Sequence, residues 1–127
     1  MEAPVPASAL IHSSTLVMSG IFLFLRFDLL LSNSFFYNTL YIYITSITAF
    51  YGGLVACYQT DIKKILAYST ISNCGFIASL CCLGIKSNYI VLYIFLHGIF
   101  KASSFLCTGN IIRYFSNQQD FRKMGGC

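Results

Sequence analysis

Charge is what this sequence has least of. Eight Lys or Arg and four Asp or Glu make up 9% of the 127 residues, where a soluble domain carries about a quarter. That is too little to solvate the surface of a small globule. Disorder is excluded too, because disordered segments are poor in aromatics and 17% of this chain is Phe or Tyr. A basic stripe is also missing. The charges are scattered and the aromatics lie inside apolar runs, so the net charge of +4 does not imply nucleic acid as a partner. None of the six cysteines pairs with another across the two-residue gap that metal sites favour. Cys57, Cys74, Cys81, Cys82 and Cys107 sit in apolar stretches, as thiols acting as small hydrophobes do. No glycine-rich phosphate loop, haem-type histidine pair or iron–sulfur cysteine cluster occurs, so the chain holds no redox cofactor of its own. Glu2 and the length of the first apolar run argue against a cleavable signal peptide.

What remains is hydrophobic: 57% of the residues, with a mean hydropathy of +0.71. The charges divide the chain into uncharged intervals, from Glu2 to Arg26, Asp28 to Asp61, Lys64 to Lys86 and Lys86 to Arg113. About 20 residues cross a hydrocarbon core as a helix. Each interval accommodates one crossing, and the second also holds a connecting loop at Ser32, Asn33 and Ser34. Runs such as Ile21-Phe22-Leu23-Phe24-Leu25 do not alternate in polarity as barrel strands must. The fold expected is therefore an all-α integral membrane bundle. Four transmembrane helices over about 7–25, 37–58, 62–83 and 89–112 fill residues 1–115, followed by a polar interfacial tail over 116–127. An even number of crossings puts both termini on one side, with Lys63, Lys64, Arg113, Arg122 and Lys123 against Arg26 and Lys86 opposite. The positive-inside rule places that side in the cytoplasm or the mitochondrial matrix.

Lys101 stands apart from the other charges, midway between Lys86 and Arg113. A lysine at mid-bilayer costs about 2.5–3.5 kcal/mol on insertion scales, and a proton or ion pathway explains it better than an incidental buried cation. His97 and Tyr93 precede it at successive four-residue steps, which stacks phenol, imidazole and ammonium on one helix face. One or two waters could bridge such a ladder, and histidine exchanges protons near neutral pH. His12 lies within the first span, followed by Ser13, Ser14 and Thr15. Those hydroxyls either bond back to their own carbonyls or line a hydrated path. Asp61 suits the N-cap of the third helix and can pair with Lys64. Because adjacent residues point about 100° apart on a helix, one of Lys63 and Lys64 faces the bundle, and spacing does not say which. Gly52-Gly53 reads as close helix packing.

Four blocks carry a resemblance: MEAPVPASALIHSSTLVMSG, QTDIKKILAYSTISNCGF, HGIFKASSFLCTGNII and QQDFRKMGG. In this order the chain resembles the antiporter-like membrane subunits of respiratory NADH–quinone oxidoreductase (complex I), the chain-5 type above all. The multisubunit cation/proton antiporters share the same core. The resemblance implies a membrane-arm subunit that moves protons without touching NADH or quinone. Flavin, iron–sulfur clusters and quinone belong to partner subunits. It places the central proton line on His12, Lys63, His97 and Lys101, in helices straddling the junction of two inverted repeats. Tyr93 stands where the family commonly has a second histidine, and Asn73 where glutamine is usual. The family's upstream Glu–Lys pair and downstream lysine helix are absent, which makes the chain a fragment or one piece of a split subunit. It would then work with the missing parts of the subunit, the other membrane-arm subunits and the lipid bilayer. Richness in Phe, Tyr and Ile suits a mitochondrial gene, hence the mitochondrial rather than the bacterial inner membrane, with both termini in the matrix. Two other readings stand beside this one: a cation/proton antiporter subunit without a redox partner, and a structural spacer whose polar residues are vestigial.

Overall fold

The computed structural model describes residues 4–31 and 35–125. Among the described residues five α-helices follow one another: α1 (Val5–Ala9), α2 (Leu16–Leu31), α3 (Phe35–Tyr58), α4 (Ile62–Cys82) and α5 (Ser87–Tyr114). A π-helical turn, Leu10–Ser14, joins α1 to α2, and a short 3-10 turn, Phe121–Lys123, follows α5. Among the described residues four helical stretches are long and apolar enough to cross a membrane: Val5–Phe27, Phe36–Tyr58, Ile62–Cys82 and Ser87–Tyr114. Helices satisfy every backbone group internally, which is what a span in hydrocarbon requires. The four spans expected from charge spacing are all present, and the last extends two residues further at each end. The loop expected at Ser32, Asn33 and Ser34 lies outside the described residues.

The first span departs from expectation. Instead of one continuous α-helix over 7–25 it contains the π-turn, closed by Thr15 donating from both its backbone N–H (3.3 Å) and its hydroxyl (2.8 Å) to the Leu10 carbonyl. A π-turn inserts one extra residue into the helical ladder and turns the side chains around it to a new face. Pro4 occupies the N-cap position of α1, and Pro6 lies in its first turn, where a missing N–H costs nothing.

The closest helix approach is α3 against α4, running antiparallel. A Cβ on Gly75 would meet the Ala49 nitrogen at 2.8 Å and the Thr45 carbonyl oxygen at 2.9 Å, and one on Gly52 would meet the Ser72 nitrogen at 2.9 Å. The Ser72 hydroxyl donates across this seam to the Ala49 carbonyl at 2.8 Å. Of the glycine pair expected to mark close packing, only Gly52 does so. A Cβ on Gly53 would find the Ser72 Oγ at an ordinary 3.6 Å, because the neighbouring position points away from the seam.

A small core of Met18 and Ile21 from α2, Ile77 and Cys81 from α4, and Ile90 from α5 holds the bundle together. The outward faces are apolar, with Leu16, Phe50, Phe100 and many others exposed. That inversion belongs to an integral membrane protein. At one end of the bundle Val5 packs against Gly109, and the segment after α5 folds back onto the turn between α3 and α4. There Phe121 donates its N–H to the Thr60 carbonyl at 2.9 Å and Ile62 to the Gln119 carbonyl at 3.3 Å, an isolated antiparallel bridge at Asp61 and Asp120. The tail is thus tied to the α3–α4 turn by backbone hydrogen bonds.

Candidate functional site

Lys101 lies mid-way along α5, half-buried, and its Nζ donates to the Ser69 hydroxyl on α4. The Ser69 hydroxyl proton is itself given to the Leu66 carbonyl at 2.7 Å. A hydroxyl has one proton to donate, so toward Lys101 the Ser69 oxygen acts only as acceptor. Two turns earlier on α5, the Tyr93 hydroxyl donates to Asn73 Oδ1 at 3.3 Å, and Asn73 Nδ2 donates to the Ser69 carbonyl at 2.8 Å. Tyr93 and Lys101 therefore reach across to α4, rather than toward His97 along their own helix. Between them His97 is buried, at 8% exposure, and its Nε2 has no hydrogen-bond partner among the described residues. Tyr93, His97, Lys101 and Asn73 line one cleft of about 360 Å³. The unpaired imidazole nitrogen and the lysine ammonium in this cleft are groups that a bound water would hydrogen-bond.

His12 lines a different cavity, of about 490 Å³, together with Tyr41, Thr45, Thr48, Thr70 and Cys74. It sits inside the π-turn, and its ring lies 6.1 Å from that of Phe105. The Thr45, Thr48 and Thr70 hydroxyls donate back to carbonyls of their own helices, as hydroxyls in apolar helices do. Their remaining lone pairs are acceptors. The side chains of Ser13 and Ser14 lie outside the described residues.

Lys63 and Lys64 separate cleanly. Lys63 is 6% exposed, whereas the Lys64 side chain is 52% exposed and its Nζ lies 3.0 Å from Asp61 Oδ2. Asp61 holds the N-cap position of α4, but its side chain makes no capping hydrogen bond. The carboxylate is drawn to Lys64 instead, and that bond holds it below the usual carboxylate range.

Of the five candidate residues, the structure gathers Tyr93, His97 and Lys101 around one cleft, sets His12 in a neighbouring cavity and buries Lys63 in the first turn of α4. Ser69 was not singled out by the sequence, because a lone serine in an apolar helix signals little. The one cue is that Ser69, Ser72 and Asn73 form a polar stripe at helical spacing. Among the described residues no group of three or more His, Cys, Asp or Glu side chains converges as a metal centre would need.

The family model of the NADH:quinone oxidoreductase/Mrp antiporter transmembrane region matches residues 1–127. The chain is 54% identical over 98% of its length to NADH-ubiquinone oxidoreductase chain 5 of Paramecium tetraurelia. Over 99% of its length it is 45% identical to the proteins of the same name from Hylobates lar and Balaenoptera physalus. It spans about a fifth of these relatives, 22% of the first and 21% of the others. With every residue inside the family match, the chain belongs to the transmembrane family of NADH:quinone oxidoreductase and Mrp antiporter subunits.

Proposed function

We propose that this chain is the central part of a chain-5-type subunit of NADH:ubiquinone oxidoreductase and carries part of its proton path. The observation that supports the reading most is Lys101, a cation in the middle of a membrane-length helix, held by a hydroxyl beside an unpaired buried imidazole. Such a cation is costly in hydrocarbon and is kept where charge must pass. In this reading His97 and Lys101 exchange protons through bound water, Tyr93 passes a hydrogen bond, and His12 and Lys63 carry the path toward the ends of the bundle. The chain binds no flavin, iron–sulfur cluster or quinone, which stay with partner subunits. Its partners are the rest of the subunit and the other membrane-arm subunits, with lipid covering the remaining apolar faces. The proposed location is the mitochondrial inner membrane, with the Asp61 turn and the segment after α5 on the matrix side.

The test is Lys101→Met in the assembled membrane complex. A large loss of proton transport with assembly intact supports the reading. Unchanged transport leaves only a structural spacer. The family match also covers cation/proton antiporters, which makes an antiporter subunit the second reading. Flavin and iron–sulfur absorbance co-purifying with the chain separates the two: its absence, together with sodium-dependent proton flux, favours the antiporter.

A further inference from the structure

The hydrogen bonds between α4 and α5 form a bracket with a fixed direction. Both α5 residues, Tyr93 and Lys101, donate, and both α4 residues, Asn73 and Ser69, accept. Ser69 is held twice, because its carbonyl accepts from Asn73 and its hydroxyl donates to Leu66. The oxygen facing Lys101 therefore cannot rotate to become a donor without breaking a 2.7 Å bond. His97, between the two arms of the bracket, is left with its Nε2 unpaired among the described residues.

We propose that Ser69 is a positioning residue for Lys101, which holds the side-chain nitrogen against α4 and so away from the His97 imidazole one turn back on α5. Asn73, clamped by the Tyr93 hydroxyl, keeps the Ser69 turn in register. The lysine then has two resting places: the Ser69 oxygen, which accepts but never supplies a proton, and the His97 side of the cleft, where a proton can be exchanged. Net transfer along α5 needs both in turn: without the first, the nitrogen stays on the His97 side and hands its proton back. Ser69 acts through Lys101 and exchanges no proton itself. This inference rests on the proton-path reading above.

The experiment compares proton transport by the intact membrane assembly carrying Ser69→Ala, Ser69→Thr or Lys101→Met. Ser69→Ala is expected to lower transport about tenfold, the scale of one hydrogen bond to a charged group. Ser69→Thr, which keeps the hydroxyl, should restore it to within about twofold. Unchanged transport in Ser69→Ala while Lys101→Met is inactive overturns the role of Ser69 and leaves the proton path standing. Equal loss in the alanine and threonine variants also overturns it, since packing would then be the cause. Normal transport in Lys101→Met removes the proton path and this inference with it. If Ser69→Ala does not assemble, Ser69→Cys preserves the volume with a weaker acceptor and should show the same loss. A structure of the Ser69→Ala assembly gives a readout independent of transport. Lys101 Nζ is expected to move to the His97 side, and an unmoved nitrogen counts against the proposal.

Discussion

His12 and Phe105 stack across the bundle, with ring centroids 6.1 Å apart and planes 19° from parallel. Phe105 is fully buried and lies one turn beyond Lys101 on the same helix. The stripe Tyr93, His97, Lys101 therefore ends in a hydrocarbon ring set against the other imidazole. Phe105→Ala should destabilise the bundle by about 3–5 kcal/mol through the cavity it leaves, and Phe105→Leu by clearly less. Thermal unfolding in detergent would measure both.

How far the fold and the site can be read from the residues depends on which force fixes each feature. The four spans are legible because hydrocarbon forces each apolar interval to satisfy its backbone alone. The same pattern carries no trace of the π-turn at His12, whose bonds to the Leu10 carbonyl depend on one threonine and its local packing. Lys101, His97 and Tyr93 stand out by their spacing. Ser69 does not, since the partner of a hydroxyl is chosen by the register between two helices. Residue spacing leaves Lys63 and Lys64 as equals, and only the rotation of α4 against its neighbours tells them apart.

The α3–α4 seam gives a sharp contrast among glycines. A Cβ on Gly75 would press on backbone atoms of Thr45 and Ala49 that have nowhere to go. Gly75→Ala is therefore expected to push the helices apart, at a cost of about 1–3 kcal/mol. Gly53→Ala meets only ordinary contact, and Gly20→Ala meets nothing within 4 Å. Both should be neutral or slightly stabilising, because alanine is the better helix former. Unfolding midpoints of the three variants side by side decide the matter.

The bridge between the α3–α4 turn and the segment after α5 should respond to acid. The Lys64 ammonium holds the Asp61 carboxyl below the usual range. A carboxyl whose folded pKa is depressed contributes stability at neutral pH and loses that contribution as the pH falls through the folded value. Protection from hydrogen exchange at the Ile62 and Phe121 amides, whose bonds form the bridge, should fall in acid once the intrinsic slowing of exchange is divided out. Asp61→Asn should remove most of that pH dependence. An unaltered pH profile in the variant assigns the bridge to its backbone bonds alone.

Lys63 and Lys64 offer the clearest separation of stability from function. Lys63 is a buried cation in the first turn of α4, at the positive end of the helix dipole, where a positive charge is unfavourable. Lys63→Met should thus leave thermal stability unchanged or raise it, yet lower proton transport at least about tenfold if the ammonium serves the path. Lys64→Met breaks an exposed ion pair with Asp61, which solvent screens, so its loss should change stability little. It should keep transport within about twofold of the parent. Transport measured in vesicles beside unfolding in detergent resolves the two residues. A stable Lys63→Met variant with full transport would show that burial of this lysine serves packing and nothing else.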